Sequence, residues 1–438
     1  MMENTLFDRL MNDFDFSLNR DGVSGERVAE RLYQLSQIGL TQEDGSFRIG
    51  FSAEEKQAKT QVKSWMEIAG LTVKEDGAGN IIGRLEGKNK HLPAIASGSH
   101  VDSVPNGGHF DGPLGVIAAL EVAEAWKTMN YQPEKPYEII IFTDEEGVRF
   151  NGGFTGSKAM MGSIDYVEQL KLIDGDGNSF EQVLEVYGST FEKFKNSVRN
   201  EDIWELFVEI HIEQGKRLEK MDLPVGIVTG IAGPCWLEIT FIGEAGHAGN
   251  TPMNDRKDSL AAASEFVFSI EELPSTINSS SVATVGKLNV FPNGVNVIPG
   301  NVTLFVDIRD IFESTKQQLV ALIKEKANSI GEKRDINVLI NDTLNIEPVP
   351  IQKEIQQKLE ESVVANGVEP YFLPSGAGHD SMIVGKQLPV AMIFVRSKDG
   401  ISHNPKEWST LNDCLTAVHV LKDFLEKAMQ ESPLVNEL

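Results

Sequence analysis

The chain has 438 residues, of which 41% are hydrophobic and 24% charged, and its formal net charge is -25 at pH 7. This length and composition predict a globular protein of two or three domains, and the negative charge excludes nucleic acid and anionic membranes as expected partners. The sequence contains no apolar run of the roughly 18 residues that span a membrane, no signal-peptide pattern and only two cysteines, Cys235 and Cys414, without disulfide or metal spacing. We therefore expect a cytoplasmic protein.

Strands and helices alternate along the N-terminal third of the chain, which predicts an α/β sheet covered on both faces. Apolar residues recur at helical spacing in three segments, and the short apolar runs between them are typical of strands. In chain order these elements are helices over 24–38 and 53–70, strands over 71–76, 80–87 and 93–100, a helix over 113–129 and a strand over 137–146.

The pattern changes near Gly230. A strand, a helix, two strands, a helix and a strand follow over about 110 residues, an order typical of a ferredoxin-like α+β unit. These elements cover 236–249, 259–273, 281–291, 302–310, 315–333 and 336–344, and a helix over 351–367, a strand over 390–395 and a helix over 413–429 follow them. We therefore predict one α/β domain, formed by residues 1–229 and 345–438, which an inserted domain over 230–344 interrupts.

The first group of candidate catalytic side chains follows the strand at 93–100. His100 ends this strand and Asp102 stands two residues later, on the same side of an extended backbone, so His100 can bind a metal ion while Asp102 supports it. Asp111 stands in a glycine-rich turn just before a helix, where its two oxygens can reach two cations. Alone, Asp111 is better explained as a helix N-cap, but the neighbouring His100 and Asp102 favour a metal site.

Three further segments place acids or histidines at the ends of strands. A row of three acids, 144–146, stands at the C-terminal end of the apolar strand over 137–146, so one acid can bind metal while its neighbour stays free as a general base. His211 alternates with Glu209 and Glu213 on a strand, and His403 stands in a polar turn. Each segment alone is also explained as a solvated loop or a structural histidine.

Together these segments supply three histidines, a turn aspartate and paired glutamates. This inventory fits two divalent ions about 3.5–4 Å apart, bridged by a carboxylate and a water. Zinc accepts imidazole and carboxylate ligands and keeps an open water position in catalytic sites. Manganese or cobalt can replace it, because the ligand type alone does not fix the metal.

The chain contains, in this order, the motifs GSHVDSVPNGGHFDGPLGV, FTDEEGVRF, EIHIEQG, GEAGHAGNTPM, NVIPG, DIRD, SGAGHDSM and GISHNP. From about residue 24 to residue 425 the sequence resembles the amidase–hydantoinase–carbamoylase branch of the di-zinc aminoacylase/carboxypeptidase-like hydrolases. Relatives outside this branch usually have an acid at the position of His211, so His211 favours the ureido-cleaving branch. The resemblance implies a di-zinc exopeptidase-like α/β/α catalytic domain with an inserted ferredoxin-like α+β domain that serves as lid and dimerisation domain.

The resemblance also implies a role for each motif residue. Asp111 bridges two divalent ions, zinc or else manganese or cobalt. Glu145 is the general base and Asp102 supports His100. His247 assists as an electrophile at the substrate carbonyl, from the same subunit or from its partner. The implied metal ligands are Asp111 with His100 and His211 at one ion and with Glu146 and His403 at the other, and the implied substrate contacts are Gln214, His247, Gly378, His379 and a carboxylate clamp of Asn296 and Arg309.

The implied reaction is hydrolysis of the carbamoyl (ureido) C–N bond of N-carbamoyl-L-amino acids to amino acid, carbon dioxide and ammonia, by a homodimer joined through the inserted domain. Allantoate amidohydrolase and β-ureidopropionase are alternatives with the same chemistry on small carboxylate-bearing ureido substrates. A di-zinc dipeptidase or aminopeptidase is more distant, because His211 and Gln214 disfavour it. Glu145 disfavours a non-catalytic metal-dependent binding protein, which needs no free base. Arg396 stands where the resemblance predicts a proline.

Overall fold

The computed structural model describes residues 5–199 and 204–430. Among these residues no helix is both long and apolar enough to cross a membrane. The α-helices are α1 (Leu6–Met11), α2 (Gly25–Ser36), α3 (Ala53–Ala69), α4 (Pro113–Thr128), α5 (Thr155–Met160), α6 (Tyr166–Gln169), α7 (Phe180–Tyr187), α8 (Phe191–Lys195), α9 (Arg217–Met221), α10 (Ser259–Ile270), α11 (Leu273–Ile277), α12 (Glu313–Arg334), α13 (Lys353–Ala365), α14 (Asp380–Val384) and α15 (Leu411–Gln430). The strands are β1 (Thr72–Glu75), β2 (Ile81–Leu85), β3 (Ala94–His100), β4 (Tyr137–Phe142), β5 (Trp204–Ile212), β6 (Val225–Ile231), β7 (Gly233–Ile242), β8 (Gly246–His247), β9 (Val282–Phe291), β10 (Val297–Ile298), β11 (Asn301–Asp310), β12 (Asn337–Asn345), β13 (Val349–Pro350), β14 (Phe372–Ser375) and β15 (Val390–Val395).

These elements form two compact units. The larger unit comprises the described residues within 1–228, 351–373 and 379–438, and the smaller unit comprises 229–350 and 374–378. The predicted inserted segment ends at residue 344, whereas the smaller unit continues through β13. The reason is that Val349 of β13 pairs with Ile231 of β6, which adds this short strand to the same unit.

The sheet of the larger unit contains the strand order β1-β2-β4-β3-β5-β15-β6. β4, β3, β5 and β15 are parallel neighbours, and the remaining strands pair antiparallel on either side of them. β3, β4 and β15 are buried along their whole length, as expected for parallel strands whose two faces are covered by helices. α4 packs on β3 and α15 on β15, while α5 contacts β4 and α14 contacts β5. The predicted α/β class is confirmed.

The helix α4 begins directly after the turn that carries Asp111. Pro113 is its first residue, where a proline's fixed φ suits a helix and its missing N–H costs no hydrogen bond. Most of its side chains are buried, so α4 is a central helix of the larger unit. This burial fixes the position of the turn before it.

The smaller unit contains an antiparallel four-stranded sheet in the order β12-β7-β11-β9. Its strands and helices follow the chain order β7, α10, β9, β11, α12, β12, with the short α11 between α10 and β9. This order gives the ferredoxin-like arrangement predicted from the sequence. Alternate residues of β11 are buried, and they form one core with the apolar faces of α10 and α12.

We expect Gly98→Ala to destabilise the larger unit by about 1–3 kcal/mol or more. Gly98 lies within β3 opposite Ile140 of β4, and a Cβ at this position would lie 2.0 Å from the carbonyl oxygen of Ile140. The backbone of β4 cannot retreat without breaking the parallel pairing. Gly175→Ala is the control, because its Cβ would meet nothing within 4 Å. Equal melting temperatures of the two variants would contradict this prediction.

Candidate metal centre

Four neighbouring parallel strands of the larger unit end at the same edge of the sheet. His100 is the last residue of β3, and His211 is the last but one of β5. The two glutamates at 145–146 follow β4, and His403 follows β15. Asp111 joins them from the turn before α4. Ligands of α/β proteins bind at this kind of sheet edge, so these side chains form the candidate site.

His100, Asp111 and His211 form a first group of donor atoms that lie within 4.8 Å of one another. Asp111 Oδ1 is 3.1 Å from Nε2 of His211 and 3.6 Å from Nε2 of His100. All three side chains are buried. Two imidazole nitrogens and one carboxylate oxygen are donors that zinc, manganese and cobalt accept.

Asp111, Glu146 and His403 form a second group on the other side of the same aspartate. Nε2 of His403 lies 3.4 Å from Asp111 Oδ2 and 3.5 Å from Glu146 Oε2. Asp111 therefore belongs to both groups and offers one oxygen to each. A carboxylate in this position can bridge two cations.

The two buried histidines are oriented by backbone carbonyls. Nδ1 of His100 donates to the carbonyl oxygen of Asp102 at 3.1 Å, and Nδ1 of His211 donates to that of Ile212 at 3.0 Å. A ring that donates through Nδ1 has its lone pair on Nε2, which is the form that binds a metal. Among the described residues, Nε2 of His100 is buried without a hydrogen-bond partner. The donor set therefore fits a divalent cation.

Asp102 supports the site mainly by hydrogen bonds to the loop that carries Glu145 and Glu146. Its carboxylate accepts hydrogen bonds from the backbone N–H groups of Glu145 at 3.2 Å and Glu146 at 3.1 Å. The same carboxylate is 3.5 Å from Nδ1 of His100, and the ring's hydrogen bond goes to the Asp102 carbonyl instead. Asp102 thus fixes the position of both glutamates relative to His100.

Glu145 lies beside the first group and belongs to neither group. Its Oε2 is 3.7 Å from Nε2 of His100, and the residue is 8% exposed. Burial raises the pKa of the Glu145 carboxyl well above its usual range; the charge of His100 opposes this rise and that of Glu146 adds to it. A carboxylate beside the ligand groups, with an affinity for protons, can serve as a general base.

Negative charge is crowded between the two groups. Burial raises the pKa of Glu146 to about 7, and the nearby charge of Asp111 adds to this rise. Against its own burial, Asp111 is held at a pKa well below its usual range by His211 and the other histidines. Bound cations neutralise such clusters of buried carboxylates.

The turn before α4 requires a glycine at position 112. Its φ of 83° lies in the region that favours glycine. A Cβ here would also lie 2.5 Å from the ring of His100. Glycine is therefore required both for the turn and for the close approach of His100 to Asp111.

Two residues that the sequence patterns did not identify contact Asp111. Ser402 Oγ donates to Asp111 Oδ2 at 2.7 Å, and the backbone N–H of Asp111 donates to Glu407 Oε1 at 3.1 Å. Gln214, which the sequence did identify, donates from Nε2 to Asp111 Oδ2 at 2.7 Å. Burial raises the pKa of Glu407 to about 7, and the charge of Asp111 adds to the rise. The only sign in the sequence that Glu407 belongs to the site is its position four residues after His403. The sequence does not show that Glu407 is buried.

His379 packs against the first group. Its ring centroid is 4.4 Å from that of His211, and the residue is 1% exposed. Burial holds the pKa of His379 well below its usual range, and the neighbouring His211 lowers it further. The predicted contact of His379 with a substrate stays a prediction.

Arg396, found where a proline was expected, makes specific ion pairs. Its Nε and Nη2 donate to the two carboxylate oxygens of Asp413 at 3.0 and 2.8 Å, and its Nη1 donates to Asp222 at 2.7 Å. Arg396 thus joins the end of β15 to α15 and to the residue that follows α9. Its role is explained by these contacts.

The smaller unit places His247 beside Asn296. His247 of β8 pairs with Val297 of β10, and the backbone N–H of Ala248 donates to the carbonyl oxygen of Asn296 at 3.0 Å. Nδ1 of His247 accepts hydrogen bonds from the N–H groups of the two residues at 249–250. The ring hydrogen is therefore on Nε2, which can donate to a ligand.

Arg309 lies near the C-terminal end of β11, also in the smaller unit. Its Nε and Nη2 donate to the carboxylate of Asp307 at 3.0 and 2.8 Å, and its Nη1 donates to the carbonyl oxygen of Gly376 at 2.7 Å. Gly378 belongs to the same short segment, 374–378. The structure thus brings Arg309 near the segment of Gly378, and it brings Asn296 near His247 instead.

Comparison with known proteins places this site in a family. The model of peptidase family M20/M25/M40 matches residues 96–427. The chain is 42% identical over 399 residues to the N-carbamoyl-L-amino acid amidohydrolase of Geobacillus stearothermophilus, covering 91% of this chain and 97% of that protein. It is 36% identical to the allantoate amidohydrolase of Bacillus subtilis (strain 168), covering 91% and 97%.

A solved structure agrees with these relatives. The amidase of the hydantoinase/carbamoylase family from Burkholderia multivorans superposes with a TM-score of 0.88 at 31% identity, covering 94% of this chain and 99% of that one. The predicted family resemblance and the predicted class of hydrolase, which acts on C–N bonds other than peptide bonds, are confirmed. The family and the His/Asp cluster both indicate the use of divalent metal ions. The chain belongs to peptidase family M20/M25/M40, in its hydantoinase/carbamoylase branch.

Proposed function

We propose that this hydrolase cleaves the ureido C–N bond of N-carbamoyl-L-amino acids to give the amino acid, carbon dioxide and ammonia. One observation carries the proposal: Asp111 is shared by two donor groups, and the buried, unliganded Glu145 lies beside them. The 42% identity to an N-carbamoyl-L-amino acid amidohydrolase supports this substrate. The 36% identity to an allantoate amidohydrolase keeps allantoate as the alternative.

The chemistry follows from these side chains. When bound, two divalent ions held by the two groups would polarise the ureido carbonyl and lower the pKa of an attacking water. Glu145 accepts the proton of that water and returns it to the amino nitrogen of the amino acid as the C–N bond breaks. The other product, carbamate, contains the oxygen of the attacking water and decays to carbon dioxide and ammonia. Asp102 contributes by holding the backbone of Glu145 in place.

Arg309 is proposed to hold the carboxylate of the substrate. Asp307 accepts from Nε and one hydrogen of Nη2, and Gly376 accepts from one hydrogen of Nη1. The remaining hydrogens of Nη1 and Nη2 form a fork that matches a carboxylate in bidentate geometry. A distant carboxylate contact would hold the ureido group in position for reaction.

His247 and Asn296 are proposed to act from a second copy of the chain. In β11, Asn301 lies at the end nearest His247, while Arg309 lies near the other end. The strand between Asn301 and Arg309 is about 26 Å long at roughly 3.3 Å per residue. This distance exceeds a small substrate, so one chain does not bring both His247 and Arg309 to one molecule.

An open sheet edge in the smaller unit supports dimerisation. Among the described strands, β9 has a neighbour on one side only. Its side chains Val282, Leu288 and Phe291 are 47%, 40% and 71% exposed, and Phe268 of α10 is 80% exposed. Exposed edge strands with apolar side chains pair readily with another chain. The homodimer and the cytoplasmic location stay predictions.

We expect a mixed dimer of His247→Ala and Glu145→Gln chains to regain about half of the activity of the unaltered dimer. One of its two sites would combine an intact Glu145 with an intact His247 from the other chain. The mixed dimer is purified through two different affinity tags, and each homodimer is the control. Activity no greater than that of the homodimers would mean that His247 acts within its own chain or not at all.

The substrate is tested by ammonia release from metal-reconstituted protein. The panel comprises N-carbamoyl-L-amino acids, allantoate, N-carbamoyl-β-alanine and dipeptides, with chelator-treated protein as control. Metal-dependent turnover with the highest kcat/KM for an N-carbamoyl-L-amino acid supports the proposal. A preference for allantoate or N-carbamoyl-β-alanine would replace the substrate, and turnover of dipeptides alone would overturn the reaction.

A further inference from the structure

A buried glutamate lies behind the shared carboxylate of the candidate metal centre. Glu407 is 2% exposed and comes from the loop between β15 and α15. Its Oε1 accepts hydrogen bonds from the backbone N–H groups of Phe110 at 2.9 Å and Asp111 at 3.1 Å. One carboxylate oxygen thus holds the backbone of the turn that carries Asp111.

The other oxygen of Glu407 reaches the side chain of Asp111 through a hydroxyl. Ser402 Oγ lies 2.9 Å from Glu407 Oε2 and donates to Asp111 Oδ2 at 2.7 Å. Gln214 Nε2 donates to the same Asp111 oxygen at 2.7 Å and to Ser402 Oγ at 3.2 Å. Glu407 and Ser402 therefore contact Asp111 at both its backbone and its carboxylate.

The glycine-rich turn is shaped to admit this glutamate. A Cβ on Gly108 would lie 2.0 Å from Glu407 Oε1, so any other residue would displace the carboxylate. Gly108 stands three residues before Asp111, and its small size has no other explanation among its contacts. The turn and the glutamate are therefore matched to each other.

The same contacts join the two donor groups. Ser402 immediately precedes His403, which belongs to the second group only, whereas Asp111 belongs to both. A shift of Ser402 would move the oxygen of Asp111 that faces His403. A shift of Glu407 would move the turn that carries Asp111, and with it both carboxylate oxygens of Asp111. Hydrogen bonds behind metal ligands commonly set the affinity of the metal site.

We propose that Ser402 and Glu407 are positioning residues that orient the carboxylate of Asp111 toward both metal positions. They also hold the loop that carries His403 in place relative to this carboxylate. This inference rests on the metal use in the proposed function. It does not depend on which ureido compound is the substrate. Ser402 and Glu407 would act through Asp111, without contact to the substrate.

The test measures zinc affinity by competition with a chromophoric chelator, for the full chain and the variants Ser402→Ala, Glu407→Ala and Glu407→Gln. Ser402→Ala and Glu407→Ala are expected to weaken zinc binding by about 10- to 100-fold. Glu407→Gln is expected to recover most of the affinity. Its amide oxygen can still accept the two backbone hydrogen bonds and its amide nitrogen can donate to Ser402.

Asp174→Asn is the matched control. Asp174 is also buried and accepts two backbone hydrogen bonds, from Asp176 at 3.0 Å and Asn178 at 2.8 Å, in a turn outside both donor groups. The melting temperature of each metal-free variant shows whether it is folded, and Ser402→Ala and Glu407→Gln test the idea if Glu407→Ala does not fold. If Ser402→Ala binds zinc as tightly as the unaltered protein does, the positioning role is overturned. The proposed function is not affected by that result. An unaltered protein that binds no divalent ion would overturn the proposed function itself.

Discussion

Glu145→Gln is expected to lower kcat for ammonia release by about 100- to 10,000-fold while both metal positions still fill. Glutamine has nearly the same shape as glutamate but cannot accept the proton of the attacking water. Glu145 is buried 3.7 Å from Nε2 of His100 and belongs to neither donor group. Its loss should therefore leave metal binding and KM nearly unchanged, as expected for a group that acts in the transition state.

The neighbouring glutamate provides the contrast for this experiment. Glu146 belongs to the second donor group, with Oε2 at 3.5 Å from Nε2 of His403. Glu146→Gln should therefore lower the bound metal content, whereas Glu145→Gln should not. A Glu145→Gln protein with normal kcat would assign the base to another residue, and one that has lost metal would make Glu145 a ligand.

The sheet edge at which the candidate site lies could be predicted because it follows from strand periodicity. His100, His211 and the acids after β4 each stand at the end of an apolar run, and parallel strands place such ends together. The inserted ferredoxin-like unit was likewise readable from its order of strands and helices. Local patterns were sufficient here because each element signals its own boundaries.

Contacts between distant loops could not be predicted in the same way. Glu407 accepts a hydrogen bond from Asp111 although 296 residues separate them, and no periodicity marks such a pair. The carboxylate of Asp102 accepts hydrogen bonds from the backbone N–H groups of Glu145 and Glu146. This contact could not be predicted because the chain turns after β3, so its side chains no longer alternate as those of an extended strand do. Arg396 is explained only when Asp413 and Asp222 are seen beside it.

The positions of His247 and Arg309, near opposite ends of β11, also required the structure. Both residues belong to motifs of one family, so the sequence alone suggested one binding site for both. The antiparallel register of β11 with β7 places them near opposite ends of the same strand. The proposed symmetric dimer would bring these two residues to one substrate.

Asp111→Ala is expected to remove both metal ions and to abolish ammonia release, whereas His403→Ala should remove only one ion. Asp111 Oδ1 lies 3.1 Å from Nε2 of His211, and Asp111 Oδ2 lies 3.4 Å from Nε2 of His403. Loss of this side chain therefore takes one ligand from each group and the bridge between them. His403 is 49% exposed at its side chain and belongs to the second group alone.

Elemental analysis of gel-filtered protein gives the number of ions per chain for each variant. About two ions are expected for the unaltered protein, about one for His403→Ala and close to none for Asp111→Ala. His91→Ala is the control, because His91 is exposed and lies in neither donor group. An Asp111→Ala chain that keeps one tightly bound ion would show that His100 and His211 hold it without the bridge.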